Sequence, residues 1–339
     1  MRALRFTAPG ATELFDLPQP TPGPGDVLLR VRLIGLCGTD LNSFRGRNPL
    51  VSYPRIPGHE IAATIAGLGP EVPAQFHPGM DVAVSPYNNC GTCPACLRHR
   101  PNACRSNHTL GVQQDGAMAD FIVAPWQKLL VGEGLSLREL CLVEPLTVGF
   151  HAAARGRVTA DDTVAVLGCG AIGLGAISGA AQRGARVIAV DVDAAKLELA
   201  RRVGASLLVN AQLEPLHDRL QELTSGRGPD VVVEAIGLPE TYRSAVEEVA
   251  FTGRVVYIGY AKQPVSYETK LFVLKELDLL GARNATVEDF SAVIQMLQQR
   301  RFPTDAAVSK VVPLAEAGPI LAAWAAHPEA FTKIHIELG

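Results

Sequence analysis

From residue 163 onward the chain repeats one pattern: a short apolar run that suits a strand, then a stretch that suits a helix. The runs are 163–168 (T-V-A-V-L-G), 186–191 (R-V-I-A-V-D), 206–210 (S-L-L-V-N), 230–235 (D-V-V-V-E-A), 254–259 (R-V-V-Y-I-G) and 278–282 (D-L-L-G-A). Near-continuous apolar strands joined by helices are covered on both faces, which is how parallel sheets are built. Six of them predict an α/β domain with a doubly wound parallel sheet. The chain before residue 145 lacks this rhythm. There, 27–33 (V-L-L-R-V-R-L) alternates in part, as a half-buried strand does. Pro and Gly punctuate this part, as in T-P-G-P-G at 21–25. It reads as β-rich. Past residue 283 a helix is expected at 287–300. A Pro-bounded tail then ends in the strand-like T-K-I-H-I-E-L. That tail is expected to rejoin the β-rich part. The expected division is therefore 1–147, 148–285 and a returning segment, 286–339.

The first of the six runs leads into Gly168-Cys169-Gly170-Ala171-Ile172-Gly173, a G-x-G-x-x-G pattern. Alone the pattern is weak. Between a strand and a helix it has a meaning: its glycines allow a tight turn and let a pyrophosphate approach backbone N–H groups at a helix N-terminus. Asp191 ends the second run, 18 residues after Gly173. Its carboxylate is placed to bind the ribose 2′ and 3′ hydroxyls of NAD and to repel a 2′-phosphate. Val192 and Asp193 supply no compensating cation, so NAD is expected over NADP. A glycine turn that binds nothing is the competing reading. Cys169 reads as a small loop residue.

Four cysteines, Cys90, Cys93, Cys96 and Cys104, lie at C-x2-C-x2-C-x7-C spacing. Four thiolates fill the tetrahedral sphere of Zn²⁺, so a metal held there is structural. Disulfides or unrelated thiols are the alternative. A second, quieter set is Cys37-Gly38-Thr39-Asp40, Gly58-His59-Glu60 and Glu144-Pro145-Leu146. One thiolate, one imidazole and one or two carboxylates suit a zinc that keeps a position open for catalysis. Singly, each residue has a plainer reading: a packed histidine, ion-paired glutamates, a buried thiol. The cysteine lobe and the dinucleotide loop in the same chain favour the metal.

These motifs, in this order and spacing, resemble the zinc-containing medium-chain alcohol and polyol dehydrogenases, over essentially all 339 residues. The resemblance implies a GroES-like β-barrel catalytic domain at 1–147, with its structural zinc lobe at about 86–106, and a Rossmann domain at 148–285. It implies an active site in the cleft between them. It makes Cys37, His59 and Glu60 ligands of a catalytic zinc, and Glu144 a glutamate that binds that metal directly or through its water. Thr39 is implied to take the substrate proton. Cys90, Cys93, Cys96 and Cys104 are implied to hold a second, structural zinc, and NAD to be the cofactor. The implied reaction is oxidation of a secondary alcohol to a ketone by hydride transfer.

Finer likeness, in G-V-Q-Q-D-G (111–116) and G-A-R-N-A-T-V-E-D-F (281–290), is to the bacterial L-galactonate 5-dehydrogenases. It suggests Gln113, Arg283 and Asn284 as substrate contacts. Arg283 reads equally as a salt bridge between domains, and Gln113 and Gln114 as plain loop residues. L-threonine, sorbitol and L-idonate are the alternative substrates. A non-catalytic redox sensor that keeps only the structural zinc is the alternative of a different class; a zinc-free quinone reductase has no need of the cysteines. Two positions depart from the family pattern. Asn42 stands where many relatives have a proton-carrying histidine, and Ala63 where G-H-E-x-x-G has glycine.

With 339 residues and 47% hydrophobic content, the chain has enough material for two full cores. A net charge of −3 without a Lys/Arg block speaks against nucleic acid as a partner. No apolar run reaches the ~18 residues of a membrane span, and the N-terminus lacks a signal-peptide core. Seven cysteines, an odd number with metal-like spacing, suit a reducing compartment, so the cytoplasm is expected. The resemblance adds a homodimer or homotetramer.

Overall fold

The computed structural model describes residues 1–339, apart from the side chain of Glu329. Two compact units result. The first comprises Met1–Glu144, Leu297–Gln299 and Thr304–Gly339; the second comprises Pro145–Met296 and Arg300–Pro303.

The six apolar runs become the six parallel strands of the second unit: Thr163–Leu167, Arg186–Asp191, Leu207–Asn210, Val231–Glu234, Arg254–Tyr257 and Asp278–Gly281. In space they run third, second, first, fourth, fifth, sixth. The order reverses between the first and fourth strands, and at such a switch point the carboxyl ends open a crevice for ligand. Ala165, Ile188, Val209, Val232 and Val255 are all fully buried, so the first five strands contribute to one core, while Asp278–Gly281 lies at the exposed edge. The helix Val287–Gln298 belongs to this unit through Met296, whereas the sequence places it in the returning segment. The reason is a buried carboxylate at its start. Asp289 accepts from His151 Nδ1 at 2.8 Å and from the backbone and hydroxyl of Thr286, which ties the helix to Leu137–Arg155.

The first unit is built on a seven-stranded, mainly antiparallel sheet. Its long central strand, Asp26–Leu36, pairs with Glu60–Leu68, Phe121–Pro125 and the late strand Ile334–Glu337. The tail thus rejoins the β-rich part, with Ile334 opposite Leu36 and Ile336 opposite Ile34. The pairing with Glu60–Leu68 slips between Val31 and Leu33, opposite Ala63 and Ala62. Ala63 is wholly buried there, its methyl part of the core with Val31 and Val82. Among the described residues no helix is long and apolar enough to cross a membrane.

Candidate active site

The helix Gly38–Phe44 is capped by Cys37, whose Sγ accepts the N–H of Thr39 at 3.1 Å. Asp40, 1% exposed, reaches back: its Oδ2 accepts from the Cys37 N–H at 3.0 Å and its Oδ1 from the Gly58 N–H at 3.3 Å. One buried carboxylate therefore holds C-G-T-D against G-H-E. Cys37 Sγ and His59 Nε2 come to 3.0 Å, and Glu60 offers a third donor; the three ligand atoms lie within 4.8 Å of one another. His59 Nδ1 is buried without a hydrogen bond, 3.8 Å from Asp40 Oδ1. This is the arrangement of a metal-ligating imidazole whose second nitrogen looks toward a carboxylate.

The local field suits a cation. Burial opposes charge on His59, but Cys37 and Asp40 outweigh it and hold the imidazole well above its ordinary range. Burial likewise pushes the Cys37 thiol up, with His59 as the main counterweight. A divalent cation relieves both: it satisfies the thiolate and leaves the imidazole neutral. The donor set of sulfur, nitrogen and oxygen fits zinc.

Two further residues, which no motif singles out, complete the site. Lys333 is 3% exposed. Its ammonium donates to both oxygens of Glu60 at 2.6 Å and to the Leu36 carbonyl at 3.2 Å. Burial disfavours its charge, yet Glu60 and Cys37 outweigh that and raise it above the usual lysine range. Gly35 makes room for this pair, because a Cβ there would overlap Glu60 Oε2. Tyr87 donates its hydroxyl to Glu144 Oε1 inside the same unit. Burial and the Glu144 charge keep that phenol far above its ordinary value, so it stays a donor. Burial moves Glu144 itself up to about 7. Thr39 and Asn42 are half-buried on the Cys37-capped helix.

His335 lies in the strand Ile334–Glu337, two residues after Lys333 and opposite Gly35, fully buried with neither ring nitrogen hydrogen-bonded. Burial, then the charges of Lys333 and Arg138, lower it to about 3. An unfolded histidine titrates near 6.5. Between pH 6.5 and 3 the unfolded chain therefore binds a proton that the folded chain refuses, and stability falls as pH falls through that window. At pH 5 this amounts to about 2 kcal/mol. His335→Leu should lose about that much less stability than wild type between pH 7.5 and pH 5 in urea unfolding. Equal losses in the two proteins would show that His335 does not set the acid sensitivity.

The four cysteines of the lobe converge. Sγ–Sγ separations are 3.6 Å for Cys93–Cys96, 3.8 Å for Cys93–Cys104 and 3.5 Å for Cys90–Cys104. A zinc at the usual sulfur distance sets its ligands about 3.8 Å apart, whereas a disulfide needs about 2.05 Å. The lobe thus fits a tetrahedral metal and excludes a disulfide, with Cys104 buried and Cys90 exposed.

In the second unit, Gly168 has φ +97° and caps the first strand. Gly170 precedes the helix Ala171–Gln182, which has no side-chain cap. A Cβ on Gly170 would meet nothing within 4 Å, so packing does not demand this glycine. The open space and the uncapped amides of 171–173 form a cradle for a pyrophosphate. Asp191 Oδ2 accepts the Cys169 N–H at 2.7 Å, which fixes the acid against the loop. Cys169 is fully buried, as a small loop residue. Of the candidate substrate residues, Gln113 has its Oε1 engaged by the Thr109 N–H at 2.9 Å, and Gln114 donates to the His108 carbonyl at 3.1 Å. Both glutamines brace their own loop. Arg283 and Asn284 are half-buried beyond the sixth strand, Asn284 with φ +53°.

Residues 23–132 match the alcohol dehydrogenase GroES-like domain family, and residues 171–299 match the zinc-binding dehydrogenase family. The chain is 33% identical to L-galactonate-5-dehydrogenase of Escherichia coli K12, over 87% of each chain. Two solved structures superpose over nearly the whole length. An alcohol dehydrogenase from E. coli CFT073, complexed with NADH, gives a TM-score of 0.91 at 26% identity, covering 100% of this chain and 99% of the other. A zinc-binding dehydrogenase from Sinorhizobium meliloti 1021, bound to NADP, gives 0.92 at 27% identity, covering 99% of each. With a GroES-like unit that gathers zinc donors and a Rossmann unit that offers a pyrophosphate cradle, the chain belongs to the zinc-containing medium-chain alcohol dehydrogenases, NAD(P)-dependent oxidoreductases that act on CH–OH groups.

Proposed function

We propose that this protein oxidises a secondary alcohol of a polyol, sugar or sugar acid to the ketone with NAD, and that an L-galactonate-type sugar acid is the first substrate to try. The convergence of Cys37, His59 and Glu60 carries the reading, since these three donors leave a tetrahedral ion one position for substrate. Likeness to L-galactonate-5-dehydrogenase supports the substrate class. In this reading Cys37, His59 and Glu60 hold the catalytic zinc, with Glu144 beside them, and Cys90, Cys93, Cys96 and Cys104 hold a second. A zinc held there would supply a Lewis acid for the substrate oxygen, and a nicotinamide in the second unit would supply the hydride acceptor. The chain's own work is positional and protonic. Asp40 fixes Cys37, Lys333 holds both oxygens of Glu60, and the Thr39 hydroxyl takes the substrate proton. Arg283 and Asn284 are proposed substrate contacts, and Gln113 has its amide N–H₂ for the same use.

Metal analysis and a turnover panel test this. Two zinc ions per chain and the highest kcat/KM on a sugar acid or polyol are expected. One zinc, or strong turnover of L-threonine with none of sugar acids and polyols, would overturn it.

NAD preference is proposed from Asp191, whose charge lies at the end of the second strand. Asp191→Asn keeps the acceptor oxygen and removes the charge. A charged hydrogen bond contributes about 1.5–3 kcal/mol, so the NAD-to-NADP ratio of kcat/KM should fall about 10–100-fold. An unchanged ratio would place cofactor choice elsewhere. We also propose a homo-oligomer joined through the edge strand Asp278–Gly281. Leu279 there, and Val273 and Leu274 before it, are exposed. Seven unpaired cysteines suit the cytoplasm.

A further inference from the structure

We infer that Tyr87 is a positioning residue of the Cys37–His59–Glu60 centre, acting through Glu144; this rests on reading that centre as a zinc site. The two buried glutamates of the first unit are held by different chemistry. Glu60 is clamped through both oxygens by the Lys333 ammonium. Glu144, 6% exposed, is held through Oε1 by a phenol. The phenol therefore restrains this carboxylate from the Oε1 side.

The phenol itself is well anchored. Tyr87 opens a two-residue strand paired with His108–Thr109, its carbonyl accepts from Lys128 Nζ at 2.6 Å, and the carbonyl before it, on Pro86, accepts from the Leu110 N–H at 3.0 Å. The ring is 8% exposed. A side chain held this firmly can fix a partner. Glu144 also stands in the field of the centre, where the charges of His59 and Glu60 act on it. A phenol that only filled space would be served equally well by phenylalanine. A phenol that orients a carboxylate beside a metal would not, because losing such an outer partner typically weakens metal binding or activity about 10–100-fold.

The experiment compares wild type, Tyr87→Phe, Glu144→Gln and the double variant as full-length chains. Zinc affinity is measured by competition with a chromophoric chelator, and cobalt(II) serves as a visible-absorption probe of the mixed-ligand site. Tyr87→Phe should fold as wild type and keep the four-sulfur metal. At the mixed site it should bind zinc about 10–100-fold more weakly, with a shifted cobalt spectrum. In the Glu144→Gln background the same substitution should change little. A wild-type chain that binds two metals, with a Tyr87→Phe variant unchanged in affinity and spectrum, overturns the role of Tyr87 alone. A wild-type chain that binds one metal overturns the zinc-site reading and this inference with it. A Tyr87→Phe variant that does not fold assigns the phenol to the fold and also overturns the inference.

Discussion

In the metal-free protein, Lys333→Met should destabilise the first unit by about 3–5 kcal/mol, because it strands a buried carboxylate without a cation. Glu60 is 1% exposed, and both of its oxygens are engaged by the lysine. Methionine fills similar volume but offers neither charge nor donor, and the Leu36 carbonyl loses a partner as well. Both tryptophans, Trp126 and Trp324, lie in the first unit, so their fluorescence reports its unfolding in urea. Adding Glu60→Gln should restore part of the loss, since the cost comes from the unpaired charge and not from the missing pair. A Lys333→Met variant within about 1 kcal/mol of wild type would mean that Glu60 finds another way to be neutralised.

Cys37→Ser should lower kcat/KM on the order of 10³-fold and remove one zinc per chain, leaving the lobe metal in place. The size follows from a Lewis acid that contributes several kcal/mol at the reacting oxygen, at about 1.36 kcal/mol per tenfold. The selectivity follows from geometry, for Cys37 shares its site with His59 and Glu60 and none of the four lobe cysteines. Cys104→Ser is the control. It should cost the other zinc, and any loss of activity should follow loss of stability. Retention of two zinc ions by Cys37→Ser would remove Cys37 from the ligand set.

The inner strands of the second unit are legible because parallel strands, buried on both faces, must be apolar throughout; each of the six, the exposed edge strand included, begins within a residue of its apolar run. The cysteine lobe and the C-G-T-D and G-H-E segments were legible because metal donors must be close, and short spacings show in one dimension. Lys333 was not. It lies 273 residues from Glu60, just before the short tail strand Ile334–Glu337, where a lysine usually reads as solvated surface. Tyr87 was hidden for the same reason, 57 residues from Glu144. Asp40 was visible as the last letter of C-G-T-D, but its double hold on Cys37 and Gly58 appears only once the turn is folded. The glutamines at 113 and 114 show as a polar pair in one dimension, but that the Thr109 N–H takes Gln113 Oε1 and that Gln114 donates to the His108 carbonyl appears only in the fold.

The pairing of Lys333 with Glu60 also orders biosynthesis. A chain made from its N-terminus presents Glu60 early, and the strand Asp26–Leu36 with it, but Lys333 and the strand that completes that edge come only after the whole second unit has been translated. The second unit, nearly contiguous in sequence, can close around its own sheet while the first still has a gap in its sheet and an uncompensated carboxylate at its centre. Domains usually finish in the order of synthesis. Here the N-terminal unit should finish last, and a nascent chain stalled before residue 333 should pair a native dinucleotide-binding unit with a protease-sensitive catalytic one.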